Sequence, residues 1–92
     1  MAEVKENEEL IKVGSGTDSN KVAGCINGIY SKDPTTKIIL RVIGAGALNQ
    51  AIKGAISSNR NFSKQGKKVS LFPYFRDLDN GMTAIELLVE VK

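Results

Sequence analysis

Residues 37–43 read Lys-Ile-Ile-Leu-Arg-Val-Ile, apolar at five of seven positions and without strict alternation. A strand of this kind is buried on both faces, so it belongs inside a sheet with a neighbour on each side. Gly44-Ala45-Gly46 follows at once, and then a segment with helical periodicity. A strand, a glycine turn and a helix start in that order bring unpaired N–H groups and the positive end of a helix dipole to one spot. Such a spot suits an anion.

Ninety-two residues make one small domain. A chain of this size buries about 60–65% of the surface its unfolded form exposes. With no Trp and only five aromatic residues its core is thin. That favours a two-layer architecture and makes self-association a natural way to cover more surface.

The acidic stretch 1–9 is expected to be a flexible segment, with residues 10–92 forming the domain. Residues 10–13 read as a short first strand ended by Gly14. Thr17, Asp18, Ser19 and Asn20 can each cap the helix that follows over residues 21–30. Val22, Cys25, Ile26 and Ile29 form its apolar stripe. Gly24 and Gly28 lie inside it at a cost of about 1 kcal/mol each relative to Ala, which implies another segment passing close. Pro34 stops any continuation.

The second helix is read over residues 45–59, with Leu48, Ala51, Ile52, Ala55 and Ile56 as its buried stripe. Gly46, Asn49, Gln50, Lys53, Ser57 and Arg60 lie on its polar face. Residues 61–68 form a basic loop containing Phe62. Residues 69–75 and 82–91 are the last two strands, joined across the hairpin signal Asn80-Gly81. Phe75 and Phe72 are expected in the core. In the last strand Ile85, Leu87, Val89 and Val91 alternate with Glu86, Leu88 and Glu90, so one sheet face is covered and the other at least partly wet. Glu86 and Glu90 are read there as solvated charges. The order β-α-β-α-β-β specifies an α+β two-layer domain, a four-stranded mixed sheet with two helices on one face.

Charge is unevenly spread. Residues 34–76 hold eight basic side chains (Lys37, Arg41, Lys53, Arg60, Lys64, Lys67, Lys68, Arg76) and no acidic one, between acidic flanks. A positive field focused on one part of a surface attracts polyanions. With no histidine and one cysteine, Cys25, the chain lacks the parts for a zinc site or a histidine-assisted nucleophile. It is not expected to be an enzyme or to carry a metal or cofactor. Cys25, on the apolar stripe, reads as a small buried hydrophobe. No secretory or transmembrane-length apolar run is present, so a cytoplasmic protein without membrane contact is expected.

The glycine turn begins like a dinucleotide fingerprint, but Asn49 stands at the third glycine and no acidic residue follows about 20 positions on. Gly46 reads equally as a packing glycine or a phosphate contact. Val22-Ala23-Gly24, Ile43-Gly44-Ala45-Gly46-Ala47-Leu48-Asn49-Gln50-Ala51-Ile52-Lys53, Arg60 with Phe62, Pro73 with Phe75, Thr83-Ala84-Ile85 and Val89-Glu90 together resemble the stage V sporulation protein S family, small bacterial proteins with an Alba-like fold. The likeness runs from about Leu10 to Val91, and residues 44–53 are its most specific part.

The resemblance implies a regulatory protein of sporulation or development that binds nucleic acid as a homodimer. Alba proteins hold nucleic acid with basic residues of the loop before the first helix and the turn before the second. This sequence departs there, with Asp18, Ser19 and Asn20 before a single Lys21, and with Gly44 and Gly46 in the turn. The expected contacts therefore fall on Lys21, Gly44, Gly46, Asn49, Gln50, Lys53, Arg60, Lys64, Lys67 and Lys68. RNA or single-stranded DNA is expected in preference to duplex DNA, because cations supply sequence-independent affinity and aromatic rings stack unpaired bases. The alternative is a homo-oligomeric interaction module without nucleic acid, its subunits packed through Gly24/Gly28 and Ala47/Ala51. A small phosphorylated ligand at the glycine turn is a third reading.

Overall fold

The computed structural model describes residues 2–5 and 7–92, with side chains from residue 7 onward. Strand β1 (Ala2–Lys5) precedes β2 (Glu8–Val13), α1 (Ser19–Lys32), β3 (Lys37–Val42), α2 (Ala45–Ser63), β4 (Val69–Asp77) and β5 (Thr83–Val91). The strands form one sheet in the order β1-β2-β3-β5-β4. β2 and β3 are parallel, which requires the α1 crossover between them, and the other pairs are antiparallel. From β2 to β5 the expected β-α-β-α-β-β order is present, an α+β fold. To the expected four strands β1 adds a fifth, at the edge.

The N-terminal stretch read as flexible thus contains β1, and Glu8 and Glu9 open β2; Met1 and Glu6 lie outside the described residues. Asn7, at φ 57°, makes the turn between the two strands. Its carbonyl accepts from the Lys37 N–H at 2.8 Å, tying that turn to the start of β3.

β3 is the interior strand its composition predicts: Ile38, Ile39, Leu40 and Val42 are all buried. The helix side of the sheet presents Ile11, Val13, Ile38, Leu40, Val42, Leu87 and Val89 to Val22, Ile26, Ala47, Ala51 and Phe62. Asp18 is the residue that caps α1, accepting from the Asn20 N–H at 2.9 Å. Cys25 is half-buried against the core rather than sealed within it.

The two helices run side by side in the same direction. Gln50 donates to the Thr17 carbonyl at 2.7 Å, buried Ser58 donates to Asn27 at 2.7 Å, and the Tyr30 and Phe62 rings meet edge to face at 5.0 Å. The close approach falls at Gly54, where an added Cβ would lie 2.5 Å from the Val22 Cβ and 3.1 Å from the Ser19 carbonyl oxygen. Gly24 and Gly28 meet nothing within 4 Å, so the neighbour expected beside them is not supplied by this chain.

That crossing decides which side of α2 is buried. Ala47, Ala51, Gly54, Ala55, Ser58 and Phe62 face inward, whereas Ile52 and Ile56, expected in the stripe, are exposed. Small residues are selected because α1 lies too close for branched side chains. The helix also runs past the expected end at Asn59 to Ser63, because Phe62 is held under Tyr30 instead of riding a loop. In the hairpin only Gly81 of Asn80-Gly81 adopts positive φ, at 81°. Asn80 instead accepts from the Met82 N–H at 3.0 Å, and the connection is the longer loop 78–82. Among the described residues no helix is long and apolar enough to cross a membrane.

Candidate nucleic-acid interface

Because α1 and α2 are parallel, their N-termini lie at one end of the domain. The α1 terminus is already occupied by the Asp18 carboxylate. The α2 terminus is not: its N-cap is Gly44, at φ 91° and ψ 160°, with no side-chain hydrogen bond and no acidic residue in the first turn. A side chain at Gly44 would be strained by that φ alone. Gly46 is a packing residue here, since an added Cβ would sit 2.9 Å from the Ser15 Cβ. It lets the loop before α1 close against α2, rather than α2 against its own strand.

Around this end lie Lys21 on the first turn of α1 and Asn49 and Lys53 on α2, all exposed. Gln50 points into the loop and spends its amide on Thr17. Arg60, Lys64, Lys67 and Lys68 gather at the opposite end, where α2 runs out and β4 begins. Gly44 and Lys64 stand twenty positions apart at the two ends of α2, about 30 Å at helical rise. The predicted residues therefore form two clusters strung along α2, not one patch.

The C-terminal cluster has a second physical role. Lys32 and Arg60 lie in the last turns of α1 and α2, and Lys64 caps α2, so cations stand where both helix dipoles are negative. None of Lys53, Arg60, Lys64, Lys67 or Lys68 forms an ion pair among the described residues. Lys68 is fixed in place by its backbone, which exchanges hydrogen bonds of 2.7 and 3.0 Å with Lys92.

The sheet face away from the helices holds residues that the sequence reading did not assign to a site. Arg41 on β3 and Arg76 on β4 both reach Glu86 on β5, through their Nε atoms at 2.8 and 3.1 Å. Glu86, read from sequence as a solvated charge, is only 2% exposed. Register explains it: Arg41 and Tyr74 flank Glu86 on either side in the sheet, and Arg76 lies two pairs further along, on the same face. Burial pushes the Glu86 carboxyl up, but hydrogen bonding from Arg41, Tyr74 and Arg76 outweighs burial and holds it below its ordinary value. Burial and the neighbouring carboxylate raise the Tyr74 phenol.

Phe72 and Phe75, expected in the core, are 61% and 77% exposed. β4 is an edge strand: Phe72 lies on the face away from the helices, and Phe75 lies on the helix side in a depression that no helix residue lines. The signal available in sequence was the period of two in Phe72, Tyr74 and Arg76, which marks one face of a strand. On the helix side, Pro73, Phe75 and Ile85 line one shallow depression, and Ile52, Ile56, Val69 and Leu71 line another between α2 and β4. Ala47 and Ala51, considered as subunit contacts, are consumed inside the domain.

A family model described as stage V sporulation protein S (SpoVS) matches residues 9–92, which spans nearly all of β2 and every later element of the fold. The chain therefore belongs to the SpoVS family of sporulation-related proteins.

Proposed function

We propose that this protein is a non-enzymatic, cytoplasmic regulator that binds nucleic acid, holding phosphates with the cations along α2 and the loop that follows. The observation that carries the reading is that Lys53, Arg60, Lys64, Lys67 and Lys68 share one helix and its exit loop with no carboxylate pairing them among the described residues. Cations left in water on one element cost self-repulsion, and a polyanion relieves it while releasing its own counterions. The uncapped α2 N-terminus at Gly44, with Lys21, Asn49 and Lys53 nearby, offers a second place for a phosphate.

The test is a titration of the protein against single-stranded RNA, single-stranded DNA and duplex DNA at several salt concentrations. The expected result is log affinity falling with log salt at a slope of roughly −3 or steeper. Lys67→Glu with Lys68→Glu should weaken binding at least about tenfold and flatten that slope. Unchanged binding in the double variant would remove these lysines from the interface.

The apolar depressions favour a second reading that is compatible with the first. Ile52, Ile56 and Phe75 leave a hydrophobic strip between α2 and the sheet edge, and a second copy of the chain is the occupant that would bury it as a homodimer. Sedimentation of wild type against Ile56→Glu checks this: the variant should be monomeric where wild type is not.

A further inference from the structure

One row of side chains remains unexplained by the α2 cations. On β4, Ser70, Phe72, Tyr74 and Arg76 point to the open face of the sheet, opposite Glu90, Leu88, Glu86 and Ala84 of β5. The Lys68–Lys92 backbone pair extends that ladder by one step and sets Lys68 on the same side. The basic loop therefore runs directly into an aromatic row. The Phe72 and Tyr74 rings stand 6.3 Å apart with 34° between their planes, and the Arg76 guanidinium lies 5.8 Å from the Tyr74 ring centre. Phe72 is exposed and Tyr74 half-buried with Arg76 over one side of its ring, so a planar group can lie on Phe72 and on the remaining side of Tyr74.

Charge selects the occupant. Both carboxylates beside the row are matched within the sheet, Glu86 by Arg41 and Arg76, and Glu90 by Lys92 at 3.0 Å. Arg76 still keeps 52% of its side chain exposed, and Lys68 at the other end is also exposed. Beyond Arg76 an open depression is lined by Lys12, Arg41, Ile43 and Leu78, which joins cations to apolar surface. Glu86 holds both arginines through their Nε atoms, which leaves their terminal nitrogens to a ligand.

We propose that this open sheet face is a stacking platform for a single-stranded nucleic acid, with Phe72 and Tyr74 each receiving a base and Lys68 and Arg76 holding phosphates at the two ends of the row. It rests on the nucleic-acid reading above and specifies the strand form. A duplex hides its base faces and cannot use exposed rings, whereas an unpaired strand can lay its bases on them.

The chain has no Trp and two Tyr, so Tyr30→Phe leaves Tyr74 as the reporter fluorophore while keeping the ring beside Phe62. In that background a uridine oligomer of about ten nucleotides, an abasic oligomer of equal length and charge, and a duplex are titrated separately. The expected result is quenching of Tyr74 emission by the uridine oligomer and none by the abasic one. Phe72→Ala should weaken single-strand binding at least about fivefold while leaving duplex binding and the thermal midpoint unchanged. Equal affinity for the abasic oligomer with unchanged emission overturns the platform; if Lys67→Glu with Lys68→Glu still weakens that binding, the phosphate-contact reading stands. No binding of any oligomer at low salt overturns both, and the face then belongs to a protein partner.

Discussion

On the helix side of the sheet, Ile11, Leu40, Val42 and Leu87 meet Val22, Ile26, Ala47 and Ala51 with no charged group among them. On the other side Leu10, Ile39 and Leu88 share the face with the ion-paired Arg41 and Glu86, and Arg76 reaches across from the edge. The first face is specified by size: Gly54 and the alanines of α2 admit α1, and nothing larger fits. The second is specified by charge pairing over a surface that water still reaches. Two faces of one backbone are thus held in different ways, one by close packing and one by ion pairs.

The sharpest way to break the comparison is to delete volume from the covered face. Leu40→Ala should cost about 2–5 kcal/mol in denaturant unfolding, since α1 and α2 cannot settle fully into the space left. On the open face Glu86→Ala should cost less, about 1–3 kcal/mol, because Arg41 and Arg76 keep contact with water after losing their partner. Replacing the whole network, with Arg41→Met, Glu86→Leu and Arg76→Met together, should bring stability back to within about 1 kcal/mol of wild type or above it. A triple variant as unstable as Leu40→Ala would show that the network organises the fold after all.

The smallest effect is the pH response. The Glu86 carboxyl is held below its ordinary value of 4.5, so its contribution is fully present above that value and is lost as pH falls through the lowered pKa. As pH falls below about 4.5 wild type should lose more stability than Glu86→Gln, whose side chain does not titrate. Parallel curves for the two proteins would assign the acid sensitivity elsewhere.

The same contrast explains what could be read from the sequence. The interior position of β3, a cap within residues 17–20 and the element order from β2 to β5 follow from composition and local hydrogen bonding, which neighbours in the chain already dictate. The buried side of α2 does not, because Ile52 and Ile56 look like part of a core stripe until the nearness of α1 at Gly54 is known. Glu86 reads as a surface charge until register brings Arg41 from 45 positions away. Phe72 and Phe75 read as core because strand sequence does not reveal that β4 is an edge. At the candidate interface the cations were legible one by one, but their division into two ends of a helix about 30 Å long was not.

The position of β5 has a consequence for how the molecule comes into being. The last element of the chain lies between β3 and β4, so until Thr83–Val91 is made β3 has a bare edge and β4 has no partner strand. At synthesis rates of about 5–20 residues per second, the interval from the end of β3 to the end of β5 lasts roughly 2 to 10 s. Throughout it the unpaired backbone N–H and C=O groups along that edge of β3 are open to any other nascent strand. Translation pauses ahead of β5 would lengthen that exposure, and the fold closes as a unit only when its final strand is inserted.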